Sequence, residues 1–298
     1  STATIETQLT KWNDVQYKFG QGSDGRITMT DDRFSSNRNW GPRLDPGLYL
    51  TYFDGVARPY VAVKNNIDGF FRTGIITSNS LIVNKKTGKT GLRVTYTDMR
   101  DKDLIPKTHM SRNTLNLRAN TNITKYVDLD FKVTYTRERV TNRPAVADHR
   151  ANIAKNLMTL STTFDQAWLR DNYQDANGEY YNWNDGDRYN INPYWVLNKM
   201  SNDSKKDTYR GSAVIRYRPF KQMSLRATLG TDMNFLVFED FAYPTSPGRE
   251  MGALTIKDYR NRTYTAEFLA SYRDRFKKLN YGATVGGNIY KVDNKTRI

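Results

Sequence analysis

Apolar and polar residues alternate at period two along most of this sequence, and that pattern leaves few folds open. Across positions 127–135 every odd residue is apolar (Val127, Leu129, Phe131, Val133, Tyr135) and every even one is polar (Asp128, Asp130, Lys132, Thr134). Successive side chains of a strand point to opposite faces, so this segment fits a strand with one apolar and one wet side. Similar runs occupy 92–96, 115–119, 213–217, 223–229, 264–272 and 279–289, with weaker ones at 15–19 and 77–83. The pattern predicts an all-β chain of about nine strands.

The connections sharpen this. Short links at 84–90, 120–125, 219–222 and 273–278 alternate with long ones at 20–72, 97–111, 141–208 and 234–260. An antiparallel up-and-down sheet does this when tight turns occupy one end and long loops the other, as in outer-membrane barrels. A β-sandwich has no reason to segregate its loops so strictly. Crossing an apolar band of about 25 Å at a tilt of about 45° takes roughly 10 residues, about the length of segments 126–137 and 264–272. The expected fold is a transmembrane antiparallel up-and-down β-barrel, with Leu, Val, Phe, Ala and Tyr toward lipid and Arg, Lys, Asp, Thr and Asn toward a wet lumen. Tyr17, Phe19, Tyr96, Tyr135, Phe235, Phe238, Tyr259 and Tyr264 are expected to form an interfacial aromatic girdle. Half-buried strands of a soluble β-protein alternate in the same way and stay open as an alternative. One stretch departs from period two: Ile153, Leu157, Leu160, Phe164 and Trp168 recur at helical spacing. It predicts a short helix in the third long loop, capped by Asp148 and ending near Leu160.

Composition excludes several functions. The 298 residues are only 38% hydrophobic yet include 20 Tyr, a residue suited to a boundary between apolar and wet surroundings. No apolar run reaches the roughly 18 residues that a membrane helix needs. Cysteine is absent, which removes disulfides, thiolate metal sites and a cysteine nucleophile. The net charge of +15 is dispersed singly, so nucleic-acid binding is not expected. His109 and His149 are the only histidines, and no serine lies in a Gly-x-Ser-x-Gly frame. A triad or a zinc hydrolase therefore has no basis.

Three motifs invite chemistry and read better as structure. Gly88-Lys89-Thr90 mimics the end of a phosphate-binding loop, but Val83 stands where that pattern needs glycine, which leaves a hairpin turn. The acidic stretch Asp171, Asp175, Asn177, Glu179, Asp185 and Asp187 would place Tyr173 and Asn184 at the first and last ligand positions of a calcium loop. Both are wrong, and Asn177-Gly178 reads as a tight turn, with an irregular calcium site left open. Asp128 and Asp130 share a strand face and suit a lumen wall better than glycoside cleavage. No catalytic residue, metal or cofactor is expected.

The third long loop is rich in aromatic residues. Trp168, Tyr180, Tyr181, Trp183, Tyr194 and Trp195, with Tyr173 and Tyr189 nearby, present ring faces that suit sugars and peptides. For any one of these rings, packing of the loop on itself or on a partner is the favoured reading. These six are the candidate substrate or partner contacts.

Specific stretches also resemble a known family. Tyr17-Lys18-Phe19-Gly20-Gln21-Gly22 is similar to the start of barrel after the plug in the SusC/RagA-like TonB-dependent transporters of Bacteroidetes outer membranes. Trp40, Gly41, Pro42, Arg43, Leu44 and Asp45 resemble that family's first-loop signature, the most specific match. Asp68-Gly69-Phe70-Phe71-Arg72-Thr73-Gly74 with Asn79-Ser80, Arg93-Val94-Thr95-Tyr96-Thr97, Ile105-Pro106-Lys107-Thr108 and Arg112-Asn113-Thr114 look like its next strands and loop. Asn142-Arg143-Pro144, Asn192-Pro193-Tyr194-Trp195 and Gly286-Gly287-Asn288 follow in order. Asn84-Lys85-Lys86-Thr87-Gly88-Lys89 departs from the family's Gly-Gly-Asn turn, and Pro46-Gly47 from its single glycine.

The resemblance implies a 22-stranded barrel with an N-terminal plug, a SusD-like surface lipoprotein as lid, and energy delivered through the TonB complex. About nine strands do not close such a barrel, and unpaired edges are not tolerated in lipid. Residues 1–298 are therefore expected to be part of one barrel domain, without the plug. The expected function is TonB-dependent active import of a glycan, oligosaccharide or peptide across the bacterial outer membrane, with no enzymatic step. A passive porin and a soluble or surface β-sandwich binding protein are the alternatives.

Overall fold

A computed structural model of the chain describes residues 2–6, 16–23, 25–27, 29–30, 33–34, 39–64, 66–184 and 186–298, the first three strands by their backbone alone. The described strands are β1 (Thr2–Glu6), β2 (Met29–Thr30), β3 (Arg33–Phe34), β4 (Asp45–Thr51), β5 (Ala57–Tyr60), β6 (Gly74–Thr87), β7 (Thr90–Lys102), β8 (His109–Asn122), β9 (Val127–Thr141), β10 (Met200–Tyr217), β11 (Met223–Ala242), β12 (Ala253–Phe276) and β13 (Leu279–Arg297). One antiparallel sheet joins β1 and β6 to β13, each strand hydrogen-bonded to the next in chain order. The chain is all-β and up-and-down, as its alternation and loop spacing require. β2–β3 and β4–β5 form separate two-stranded ribbons, and among the described residues no second sheet faces the first.

The first strand differs from expectation. β1 pairs with β6 from Thr2↔Ser78 to Glu6↔Gly74, whereas the weak segment at 15–19 is not part of the sheet. Val15 lies outside the described residues. Leu44 N donates to Lys18 O (3.0 Å) and Gly20 N donates to Pro42 O (3.2 Å), so this segment pairs with the Trp40-to-Asp45 turn. Five alternating residues do not distinguish a sheet strand from a local extended segment.

Alternation marks only the part of a strand whose two faces differ chemically. Beyond it the strands run on where the alternation breaks, through Lys205 and Lys206 in β10, Leu236, Val237 and Phe238 in β11 and Arg260, Asn261 and Arg262 in β12, so these strands reach 18, 20 and 24 residues. The later long loops shrink to 103–108, 142–199 and 243–252. On the other end the turns are tight. Thr87 pairs with Thr90 across Gly88-Lys89, where Gly88 has φ +57°.

The third long loop holds three short helices rather than one: α1 (Ile153–Met158), α2 (Gln166–Asp171) and α3 (Pro193–Lys199). Asn152, not Asp148, caps α1, its Oδ1 accepting Lys155 N (3.3 Å), while Asp148 pairs with the Lys155 ammonium (3.1 Å). Asp165 caps α2 through Ala167 N (2.8 Å), and Asn192 caps α3 through Tyr194 N (2.9 Å) with Pro193 in the first turn. Both carry ordinary helix-start signals.

The two faces of the large sheet differ. On one, register aligns Val83, Val94, Leu117 and Val133, and beside them Leu81, Tyr96, Leu115, Tyr135 and Tyr209. This apolar face is uncovered: Leu81 is 66% and Val285 73% exposed. The apolar band also drifts. From Val94, its centre on β7, the register partners run through Leu117, Val133, Gly211, Thr231 and Tyr264 to Lys291 on β13. On β13 the band centres on Val285, six residues from Lys291 (291 − 285) after six strand steps. One residue per step, at about 3.3 Å along a strand and about 4.8 Å between strands, tilts the strands about 35° from the normal to the band.

Tyr135 and Tyr209 stack at the loop-side border of the band (ring centres 4.8 Å apart), and Phe235 meets Tyr209 edge-on (6.0 Å). Of the expected girdle, Tyr96, Tyr135, Phe235 and Tyr264 share this face. Phe238 and Tyr259 lie on the opposite one, an odd number of residues from Phe235 and Tyr264, and Tyr17 and Phe19 lie outside the strands.

Candidate functional site

The polar face of the sheet carries an ordered array. One register line crosses eight strands through Ser80, Thr97, Thr114, Thr136, Thr208, Asn234, Asn261 and Asn294 without meeting a charged or apolar residue. Hydroxyls of Ser80 and Thr97 lie 2.9 Å apart, those of Thr114 and Thr136 3.3 Å, and Thr208 donates to Asn234 Oδ1 (2.9 Å). Nearer the tight turns the face becomes cationic, with Arg93, Arg118 and Lys132 as successive register partners. Asp130 pairs with Arg118 (2.7 Å) and Asp128 with Arg218. Hydroxyls and carboxamides both donate and accept, so this line offers hydrogen bonds to water and to uncharged polar solutes without a net charge.

At the loop end of the sheet, the long loops build a compact assembly with its own core. Leu50, Tyr52, Phe53, Tyr60, Ile67 and Phe70 from the first loop pack with Ile153, Leu157, Leu160, Phe164, Leu169, Trp183 and Leu197 from the third. Phe53 stacks on Phe164 (5.9 Å, nearly parallel) and Trp183 meets Phe164 edge-on (5.8 Å). Burial holds the Tyr60 phenol up to about 12, and its hydroxyl donates to Gln21 O (2.9 Å). Polar clasps tie the loops: Asn39 Oδ1 accepts Thr162 N (3.0 Å), Asn66 Nδ2 donates to Ser161 O (3.0 Å), and Val63 N donates to Thr162 O (2.8 Å). The loop between β11 and β12 joins through Trp195 Nε1, which donates to Ser246 Oγ (2.9 Å).

The signature stretch lies against this assembly. Gly41 has no room for a side chain, since a Cβ there would sit 1.9 Å from Gln21 O. Pro42 O accepts Gly20 N and the Tyr60 hydroxyl. Arg43 forms a bridge with Phe19, and Asp45 Oδ1 accepts Gly47 N (2.8 Å). Trp40 is left 64% exposed.

The six aromatic candidates come together, mainly by packing. Trp183 and Trp195 are fully buried and present no surface. Tyr180 accepts a bond from Asn192 N (3.1 Å), and burial pushes its phenol well up from the usual range. Trp168 is half-buried under the Arg58 guanidinium, which lies 4.0 Å from its ring centre and is fixed by Asp54 (2.6 Å). Tyr181 donates to Phe53 O (3.0 Å), and the Tyr194 ring leans on Phe70 (5.3 Å). Trp168, Tyr180, Tyr181 and Tyr194 keep partly open surface. The exposed rings of Tyr49 and Tyr189, 64% and 65% exposed, lie outside the six. Alternation and aromatic content do not separate a ring that packs from one that faces out.

In the acidic stretch, Asp175 Oδ1 accepts Asn177 N and Glu179 N (both 2.9 Å), forming the expected tight turn, and Asp187 Oδ1 accepts Tyr189 N (2.8 Å). Among the described residues no three acidic or histidine side chains converge. Below the assembly, Asn142, Arg143 and Pro144 line a cavity of about 50 Å³ with His149, Val196 and Asp240. That is room for water rather than for a solute.

This fold is part of the wall of an up-and-down antiparallel β-barrel, and solved structures agree. The chain is similar to chains of the RagAB peptide transporter (TM-score 0.61, 12% identity) and of the RagAB peptide importer in its closed-closed state (0.60, 12%) and open-open state (0.51, 11%). Each comparison covers 78% of this chain and 26%, 26% and 29% of the other. The chain thus spans about a quarter of the length of those it matches, and identity this low speaks for the fold alone. No protein-family model and no curated protein matches the sequence.

Proposed function

We propose that this chain forms part of the wall and outer loops of a SusC/RagA-like, TonB-dependent importer of the bacterial outer membrane. The observation that carries the membrane placement is the uncovered apolar band. A soluble sheet does not leave so wide an apolar face open, and the drift of one residue per strand gives the tilt of about 35° found in membrane barrels. The polar face then lines a wet lumen, and β1 and β13 pair with further strands of the wall, since open edges are not tolerated in lipid. The likeness to the RagAB peptide importer favours an active importer over a passive porin.

The loop assembly would seat a SusD-like lipoprotein, with Trp40, Tyr49 and Tyr189 as exposed contacts. Substrate would be an oligosaccharide or a peptide, held between loops and lid and released inward when TonB acts on a segment outside this chain. The neutral hydroxyl and carboxamide line suits either class. Work is done by differential binding between closed and open states, and no covalent chemistry is assigned.

The test is an immunoblot of outer-membrane fractions from the native host, with and without boiling, using antibody to this segment. A membrane band much larger than this chain that shifts on heating is expected. A soluble band of the chain's own size, indifferent to heat, would sink the barrel. Ion conductance through the reconstituted protein without TonB would instead point to a porin.

A further inference from the structure

We infer that the loop-side rim of the apolar face binds an outer-leaflet lipid whose head is an anionic phosphate monoester, resting on the membrane placement proposed above. Its head would sit on Arg139 and Lys205, and an acyl chain would lie in the groove beside Gly211 and Ala213. Arg139 and Lys205 are direct register partners on β9 and β10, both exposed. Each is an even number of residues from Tyr135 or Tyr209, so both stand on the apolar face, beyond its aromatic border. Like charges facing each other across a ladder repel.

Neighbouring cations are compensated: Arg100 by Asp98 (2.9 Å) and Arg137 by Asp207 (3.4 Å). Asp203, the next acid on the same face of β10, has Oδ1 occupied by Asn142 N (2.8 Å). Arg139 and Lys205 form no ion pair among the described residues. A guanidinium fork beside an ammonium is a strong site for a phosphate group.

The second observation lies along the same strand. Past Tyr209, toward the tight turns, Gly211 and Ala213 floor a groove walled by Phe131 and Val133 on one side and Leu229 on the other. Lys205 and Gly211 are six residues apart, about 20 Å along the strand. The groove thus begins just inside the apolar band, within one leaflet of a hydrocarbon core about 30 Å thick. Cations, then aromatic rings, then an apolar groove follow the order of an amphipathic molecule; a free phosphate would use only the first.

The experiment presents the full-length protein in neutral detergent with phosphatidic acid or phosphatidylcholine and counts retained lipid by native mass spectrometry. Wild type is expected to retain phosphatidic acid selectively. Arg139→Gln with Lys205→Gln should lower retention about 5- to 30-fold, at roughly fivefold per cation. Gly211→Leu should also lower it with both cations intact, and it carries the test if the double variant fails to fold. Equal retention of the two lipids, or retention unchanged by the substitutions, overturns the inference. Inorganic phosphate displacing the lipid while Gly211→Leu has no effect would make this a free-phosphate site and overturn it as well. A heat-modifiable membrane protein without lipid preference loses this inference alone; a protein that stays soluble without detergent loses the membrane placement too.

Discussion

The sheet and the loop assembly use the same residue types on opposite plans. In the assembly, aromatic and aliphatic side chains turn inward, and Tyr52, Phe164, Trp183 and Trp195 are sealed from solvent. In the large sheet they turn outward, and among the described side chains only Val140 and Ala242, both at its loop end, are buried. One region makes its own interior, while the other depends on its surroundings to cover it. A count of apolar residues therefore says little about stability here; where the chain points them decides. The assembly should respond to mutation like a small globular protein, and the sheet like a wall whose partner is lipid.

Four outcomes would break or sharpen that contrast. The largest is Trp195→Ala, which removes a fully buried ring and the bond to Ser246 and should cost about 3–5 kcal/mol within the assembly. Hydrogen exchange across 142–199 should accelerate while the sheet keeps its heat-modifiable behaviour; if both regions melt together, they are one unit. Next is Leu117→Arg, near the middle of the band, which should cost about 2–4 kcal/mol if that face meets lipid. It should be seen as lost membrane assembly, and near-normal assembly would deny the lipid contact. Third comes Gly41→Ala, whose Cβ would collide with Gln21 O, at about 1–3 kcal/mol. Proteolysis should then quicken in the first loop and spare β6 to β13.

The smallest effect concerns pH. Burial holds the His149 imidazole below its usual pKa, with Asp240 opposing, and Nδ1 accepts Ala151 N (3.2 Å), which requires that nitrogen unprotonated. The unfolded imidazole thus binds a proton at a higher pH than the folded one. Stability contributed by this residue is complete above the unfolded value of about 6.5 and falls as pH drops from there toward the depressed folded value. Loop protection should weaken slightly between neutral and mildly acid pH, and His149→Gln should flatten that dependence. A slope that survives the substitution assigns the effect to another group.

Much of the sheet was legible in the sequence because period two is written by chemistry. Val127 to Tyr135 states its two faces outright, and the alternation of short and long links gives the up-and-down order. Strand lengths were hidden, since β12 continues past its apolar segment through Arg262, Arg260 and Asp258, where neither face is apolar. The true first strand escaped notice because Thr2 to Glu6 offers only five residues, and the rival segment at 15–19 alternates as well. In the assembly the rings were legible as a set but not by role: Trp183 and Tyr189 look alike in sequence, and only three-dimensional packing buries the one and leaves the other out. Asn192-Pro193 announced α3 plainly and was obscured by the aromatic residues after it.

The clasp at Asn39 has a consequence in time. Its Oδ1 meets Thr162 N across 123 residues of chain, and all of β6 to β9 lies between them. Closing so long a loop is entropically costly, and contacts this distant in sequence form late. A newly made chain would therefore show its first loop unlatched, with Tyr52 and Phe53 uncovered, until the hairpins behind it have zipped. The latch would then double as a mark of completion, distinguishing a finished wall from one still under construction to any protease or chaperone that samples exposed rings.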